Sequence, residues 1–236
     1  MKIEGSTILI TGANRGIGKA LVSAALDNGA ARVYAGTRVP LAQADGRVVP
    51  VRIDVTDEAQ VAAAAAQVHD LDILINNAGI ALYDDLSDPE VLEAHLAVNL
   101  FGTHRMTQAF RPALERSRGA LVNNVSLMAL APFPVTPAYA VSKAAAFNLT
   151  QSLRALLAPT GVSVHAVMTG PTDTDMTRGF EIPKATPESV AQAILAGVET
   201  GDEEIFPDQL SAQVASSWRD GAVKAFEHQF ALAVAA

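Results

Sequence analysis

The amino-acid sequence predicts one α/β domain over residues 1–236, built on a doubly wound, seven-stranded, mostly parallel sheet with helices on both faces. Three observations lead there. Short runs of β-branched and aliphatic residues alternate with longer, alanine-rich stretches, the rhythm of strand, helix, strand. The short runs are apolar on both faces, which suits parallel strands covered from both sides. No internal repeat and no tract rich in Pro, Gly and Ser divides the chain into two units.

The first strand, Thr7–Thr11, is followed by a glycine-rich turn and a helix over Gly16–Asn28 that Gly29 stops. Strands over Arg32–Gly36 and Val48–Ile53 come next. The stretch from Arg38 to Val48 falls short of the dozen or so residues of a helical crossover, so a vestigial helix is expected there. Thr56–Val68 reads as a helix because alanines dominate it, Ala62–Ala66 without interruption. The fourth strand, Ile73–Asn76, precedes a long helix over Pro89–Glu115. The fifth, Ala120–Val125, set off by Gly119, precedes one over Tyr139–Ala158 that ends near Gly161. The sixth, Ser163–Met168, leads to a helix over Pro187–Glu199, and a short seventh, Glu204–Phe206, closes the pattern.

Composition narrows the function. A net charge of −8 argues against a nucleic-acid surface, which needs a basic face, and favours a small-molecule partner. Half the residues are hydrophobic, yet no apolar stretch reaches the ~18 residues of a membrane span. The N-terminal Met1-Lys2-Ile3-Glu4-Gly5 runs straight into an apolar segment too short and too β-branched for a secretory leader, so a cytoplasmic location is expected. Zero cysteines exclude disulfides, thiolate catalysis and cysteine-bound metals. His69, His95, His104, His165 and His228 show no paired spacing, and no metal is predicted.

Immediately after the first strand stands Thr11-Gly12-Ala13-Asn14-Arg15-Gly16-Ile17-Gly18, and a helix follows. Glycines let the backbone turn tightly and approach a pyrophosphate closely, while the helix N-terminus offers free N–H groups and the positive end of its dipole. The spacing is G-x-x-x-G-x-G rather than G-x-G-x-x-G, and a glycine-rich loop before a helix is also an ordinary structural feature. Strand before and helix after are the context that a dinucleotide requires, giving a Rossmann-type reading.

The end of the second strand, Tyr34-Ala35-Gly36-Thr37-Arg38, lacks the carboxylate that would accept hydrogen bonds from an NAD ribose. Thr37 stands in its place, with Arg38 beside it and Arg15 inside the glycine turn. Two guanidinium groups converging on a 2′-phosphate would favour NADP(H), each charge-assisted bond contributing about 1.5–3 kcal/mol. Both arginines could equally be surface residues, so the missing acid carries more of the argument. Asp54, after the third strand, is placed to accept from an adenine amino group or to cap the next helix. The short second crossover would leave the adenine end exposed.

Tyr139-Ala140-Val141-Ser142-Lys143 puts a phenol and an ammonium on one helical face, and Ser126 sits upstream where the fifth strand ends. That edge is where a doubly wound sheet builds its ligand crevice. Carbonyl reduction needs hydride at carbon and a proton at oxygen. A phenol with a pKa near 10 serves at neutral pH only if its anion is stabilised, and Lys143 is expected to lower it. Ser126 can hydrogen-bond the substrate oxygen.

At this point the chain resembles the short-chain dehydrogenase/reductase family, from about Ser6 to Phe206. The resemblance rests on T-G-A-N-R-G-I-G at 11–18, D-V-T-D at 54–57, N-N-A-G at 76–79, Asn99, Ser126, Y-A-V-S-K at 139–143 and T-G-P-T-D-T at 169–174. It implies Tyr139 as the general acid, Lys143 lowering its pKa and binding the nicotinamide ribose, Ser126 positioning the carbonyl, and Asn99 supporting a water that passes protons to Lys143. A satisfied core amide is the other reading of Asn99. The cofactor side would comprise Gly12, Asn14, Arg15, Gly16, Ile17, Gly18, Thr37, Arg38, Asp54, Val55, Asn77, Ala78, Gly79, Tyr139, Lys143, Gly170, Thr172 and Thr174. Thr169 departs from the pattern, because proline normally precedes Gly170.

The segment from Asp175 to Thr186 corresponds to the family's substrate lid and is short, implying a permissive pocket. Met128, Leu130, Phe133, Pro134 and Phe180 are candidate walls or ordinary packing. The helices over Pro89–Glu115 and Tyr139–Ala158 are apolar over more than one face, as for a homodimer, and the Ala236 tail could finish a homotetramer; internal packing competes. Two other functions stay open. One is a 3-oxoacyl carrier-protein reductase docking through Arg105, Arg111, Arg116 and Arg118. The other is a non-enzymatic NADP(H) sensor, although such proteins usually lack the Tyr or the Lys retained here.

Overall fold

The computed structural model describes residues 1–39, 41 and 45–232. Seven strands form one sheet: β1 (Thr7–Thr11), β2 (Arg32–Thr37), β3 (Val48–Arg52), β4 (Ile73–Asn76), β5 (Ala120–Asn124), β6 (Ser163–Val167) and β7 (Glu204–Ile205). Their order is β3-β2-β1-β4-β5-β6-β7, and every described pairing is parallel, so the sheet is more uniform than the mostly parallel one expected. The order reverses between β1 and β4, which opens a crevice at their carboxyl ends.

Alternating residues of each strand feed two cores. Ile8 and Ile10 face α1 (Gly16–Asp27) and α6 (Pro187–Thr200), joining Leu21, Ile73, Ile194 and Leu195. Leu9 points the other way, with Leu74 and Leu121, onto Met106 and Phe110 of α4 (Thr103–Ser117) and Leu153 of α5 (Pro137–Leu157). α2 (Glu58–Gln67) adds Val61 and Ala64 to that second layer. The run of small alanines lets α2 lie close while Asp57, rather than Asp54, caps it by accepting from the Ala59 and Gln60 amides at 2.9 and 3.1 Å. No helix occurs among the described residues between β2 and β3.

The helix expected over Pro89–Glu115 is interrupted. α3 (Pro89–His95) widens into a π-helical turn over Leu96–Gly102 before α4 resumes. The Thr103 hydroxyl takes up the Asn99 carbonyl at 3.0 Å, and a Cβ on Gly102 would lie 2.6 Å from Val55 Cγ2, so glycine is what lets the widened turn press on β3's exit.

After β7 the chain forms α7 (Gln209–Arg219) and α8 (Ala222–Ala231), neither of which the sequence pattern disclosed. Asp208 and Ser211 cap α7 reciprocally, a local signal that was present in the sequence. α8 is held differently. Buried Lys224 reaches Glu203 at 2.6 Å and Glu204 and Glu227 at 2.9 Å, and Arg154 of α5 joins the same carboxylates. Residues 233–236, including the Ala236 tail expected to finish an assembly, lie outside the described residues.

Candidate active site

The crevice is bounded by four chain segments leaving β1, β4, β5 and β6. On the β1 side, Gly12 and Gly16 adopt φ of +67° and +52°, which side chains disfavour. A Cβ at Gly18 would stand 2.1 Å from the Gly12 carbonyl oxygen, so only glycine lets α1 start this close beneath the turn. Arg15 gives α1 no side-chain cap, leaving its first N–H groups for a ligand. Asn14 is exposed, and Ile17 packs partly into the core. The turn is tied to β4's exit: the Asn77 and Ala78 amides donate to Thr11 Oγ1 at 2.9 and 3.0 Å, and Asn77 Nδ2 donates to the Thr11 carbonyl at 3.0 Å.

At the end of β2, Thr37 is buried and its hydroxyl donates to the Val39 carbonyl. Arg38 follows it. Asp54 accepts from the Thr56 hydroxyl and amide at 2.7 and 2.9 Å, and these bonds, aided by the charge of Arg38, hold its carboxyl below the usual range. Buried Val55 lies beside it. The Arg15 guanidinium pairs with Asp175 at 3.2 Å, on the segment after β6. Arg52, in register with Thr37, shares a cleft of about 400 Å³ with Arg38, and reading the strands singly missed it.

The catalytic candidates come together. Ser126, Tyr139 and Lys143 are 5%, 9% and 6% exposed, so reacting groups there are shielded from bulk water. Ser126 Oγ accepts from the Met128 amide at 3.1 Å and donates to the Thr169 carbonyl at 3.4 Å. Burial pushes the Tyr139 phenol up, and a hydrogen bond with Ser126 partly opposes it. Lys143 Nζ donates to the Asn124 carbonyl at 2.8 Å and lies 5.6 Å from the centre of the Tyr139 ring, and burial lowers its own pKa to about 8.

Asn99 is a satisfied amide. Its Oδ1 accepts from the Ile80 amide at 2.9 Å, and its Nδ2 donates to the Ile80 carbonyl and to Ser142 Oγ at 3.0 and 2.9 Å. It therefore clamps the loop after β4 onto α5 by its side chain. Gly79 fits between Asn99 and Lys143: a Cβ there would lie 3.2 Å from Asn99 Oδ1 and 3.7 Å from Lys143 Nζ.

Thr169, the departure from the proline pattern, has a role that proline could not fill. Its hydroxyl donates to Asn124 Oδ1 at 2.6 Å, and Asn124 Nδ2 donates to Asn77 Oδ1 at 3.0 Å, linking the exits of β6, β5 and β4. The Gly170 amide donates to the buried Asp208 carboxylate at 2.7 Å, and no side chain would fit there. Thr172 donates to the Gly170 carbonyl at 3.3 Å, while Thr174 opens a short turn with its methyl near Gly16. His95 was not foreseen either. It is fully buried with its ring 6.3 Å from that of Tyr139 at 70°, taking the Leu82 amide on Nε2 at 3.0 Å and facing the Val91 carbonyl through Nδ1 at 2.7 Å. With Nε2 accepting from the Leu82 amide, Nδ1 is the nitrogen that donates to the Val91 carbonyl.

Fold and site together define a short-chain type of doubly wound oxidoreductase. Residues 6–184 match the family model described as short chain dehydrogenase, and the chain belongs to that family. It is 33% identical over 229 residues to the short chain dehydrogenase TazN of Aspergillus terreus, a match covering 87% of this chain but 49% of that protein, so the chain spans about half that relative's length. An uncharacterized oxidoreductase of Staphylococcus aureus is 34% identical over 203 residues, covering 79% of this chain and 88% of the other. Among solved structures, a short chain dehydrogenase from Burkholderia cenocepacia in complex with NADP superimposes with a TM-score of 0.89 at 39% identity, covering 97% and 98% of the two chains. The 3-ketoacyl-(acyl-carrier-protein) reductase from Brucella melitensis complexed with NADH gives 0.77 at 26% identity, over 84% and 91%.

Proposed function

We infer that the protein is an NADP(H)-dependent oxidoreductase interconverting a ketone or aldehyde and an alcohol. The observation that carries this is the buried Ser126, Tyr139 and Lys143 group, set in the crevice that the glycine turn also enters. The residues present suit the cofactor. Gly12, Gly16 and Gly18 leave a cradle that a Cβ would fill, α1 presents uncapped N–H groups, and the end of β2 has cations where an NAD ribose would want an acid. Arg38, with Arg52, would hold the 2′-phosphate, and the 39% identical neighbour in complex with NADP supports that assignment.

When bound, NADPH supplies the hydride. The protein does the rest. Ser126 Oγ–H turns from the Thr169 carbonyl to donate to the substrate oxygen and fixes it beside Tyr139. Tyr139, its phenol protonated because burial raises its pKa, gives its proton to that oxygen as negative charge develops. Lys143, held in place by the Asn124 carbonyl, then offers its positive charge to the phenolate. Tyr139 and Lys143 both sit on α5, so one rigid helix sets their spacing.

A carrier-protein-linked 3-oxoacyl substrate is the second reading, favoured by the Brucella melitensis neighbour. Three of the four arginines expected to dock a carrier have local partners: Arg105 donates to the Val55 carbonyl at 2.7 Å, Arg111 pairs with Glu115 at 2.7 Å and Arg116 donates to the His69 carbonyl at 2.8 Å. Assembly into a homodimer or homotetramer is supported by Phe101, Val141 and Leu156, which the π turn and α5 leave 53%, 46% and 52% exposed.

The test is consumption of NADPH, and separately of NADH, against aryl ketones, β-keto esters, α-diketones and steroids. Turnover with NADPH preference bears out the reading. Tight NADPH binding without turnover of any free ketone would shift it to a carrier-bound substrate.

A further inference from the structure

We propose that Tyr83, Phe133 and Phe180 form an aromatic clamp at the mouth of the site, selecting a carbonyl substrate with an aryl ring beside its C=O group. This rests on the carbonyl-reductase reading above and names its substrate class.

The three rings come from three different connections, each leaving the carboxyl end of a strand: β4 to α3, β5 to α5 and β6 to α6. They meet in space. Phe180 lies 5.9 Å from Tyr83 at 47°, a tilted contact, and 6.0 Å from Phe133 at 64°, an edge-type one, so none of the three is stacked face to face on another. Tyr83 is 67% exposed and Phe133 41%, and none of the three belongs to a core cluster, so folding does not account for them. In a chain with eight phenylalanines, three tyrosines and one tryptophan, such a gathering is a heavy use of scarce rings.

Local bonds tie the loop that carries Tyr83 to the surroundings of Tyr139: the Leu82 amide donates to His95, whose ring abuts Tyr139, and the Asp84 carboxylate accepts from the Ala138 amide at 3.2 Å. Phe133 lies just ahead of α5, its carbonyl accepting from the Thr136 amide at 3.1 Å. Phe180 is carried by the lid, which Lys184 braces by donating to the Thr177 carbonyl at 2.8 Å. A substrate whose oxygen is held between Ser126 and Tyr139 would meet this rim with its substituents, and there a flat ring can stack where a puckered one cannot.

The decisive experiment compares propiophenone with 1-cyclohexyl-1-propanone, which share a carbon skeleton but differ in ring flatness. Binding to the NADP⁺-loaded protein is measured by calorimetry, so no turnover is needed. The aryl ketone should bind about tenfold tighter, and Phe180→Leu, which keeps apolar bulk, should remove most of that preference while changing the affinity for the cyclohexyl ketone less than about twofold. Equal affinity for the two ketones, no binding of either, or a preference that survives both Phe180→Leu and Tyr83→Ala would overturn the clamp. Selective binding of the aryl ketone without NADPH consumption would instead sink the catalytic reading and leave the clamp standing.

Discussion

Tyr139 and Lys143 bear opposite consequences of the same burial. The phenol is pushed up and keeps its proton, while the ammonium is pushed down to about 8. In the cofactor-free protein Lys143 therefore loses its charge as pH rises through about 8, well before an exposed lysine would. On the proposed activity, carbonyl reduction would need a protonated phenol and benefit from a charged Lys143, so its rate should fall as pH rises through about 8, which a pH–rate profile would read. Tyr139→Phe should lower turnover by about 10²-fold or more while NADPH affinity stays nearly constant; unchanged turnover would remove Tyr139 from the mechanism. Arg38→Ala should weaken NADPH binding about tenfold and leave NADH nearly unaffected. Equal losses would show that Arg38 does not read the phosphate.

Among the elements, the glycine turn and the π-helical turn set the site's dimensions. Gly18→Ala places a Cβ 2.1 Å from the Gly12 oxygen, a backbone atom that cannot swing aside. A stability loss of about 1–3 kcal/mol and loss of NADPH binding should follow, read by denaturant titration and by calorimetry. The widened turn around Asn99 does quieter work, turning that side chain to grip the Ile80 backbone and Ser142 together. Much of this was legible in the sequence. The seven strands fall within a residue of their expected bounds because both-face burial writes itself as continuous apolar runs. The π segment was not legible, because Leu96-Ala97-Val98-Asn99-Leu100 satisfies a helical pattern whether the turn closes on four residues or five.

For the molecule as a whole, the C-terminal helix depends on charge rather than on an apolar face. Burial opposes ionisation of Glu203, but the hydrogen bonds from His228 and Lys224 and the charge of Arg154 overcome it and hold the carboxyl at about 2, and Glu227 is held down by Arg154 and Lys224. Because these folded-state values are depressed, their stabilisation is complete above about 4.5 and is lost as pH falls towards about 2. Lys224→Met removes a buried cation shared by three carboxylates and should cost α8 about 3 kcal/mol of local stability. Hydrogen exchange over Ala222–Ala231 would read this directly, with faster exchange in the variant at neutral pH and in the wild type only under acid. Unaltered protection in the variant would mean that packing alone holds the helix. No helix among the described residues is long and apolar enough to cross a membrane.

The sequence by itself determined the doubly wound sheet, the glycine turn and the placing of Tyr139 and Lys143 on one helical face, because periodicity, glycine spacing and helical i, i+4 geometry are local properties. Tertiary structure decided where polar atoms and charges find partners. It drew Arg15 to Asp175, gave Thr169 to Asn124, turned Lys143 to a backbone carbonyl, set His95 against Tyr139 and gathered three aromatic rings from distant loops. Each of these joins residues far apart in the chain, and the choice depends on distances that exist only once the strands have paired.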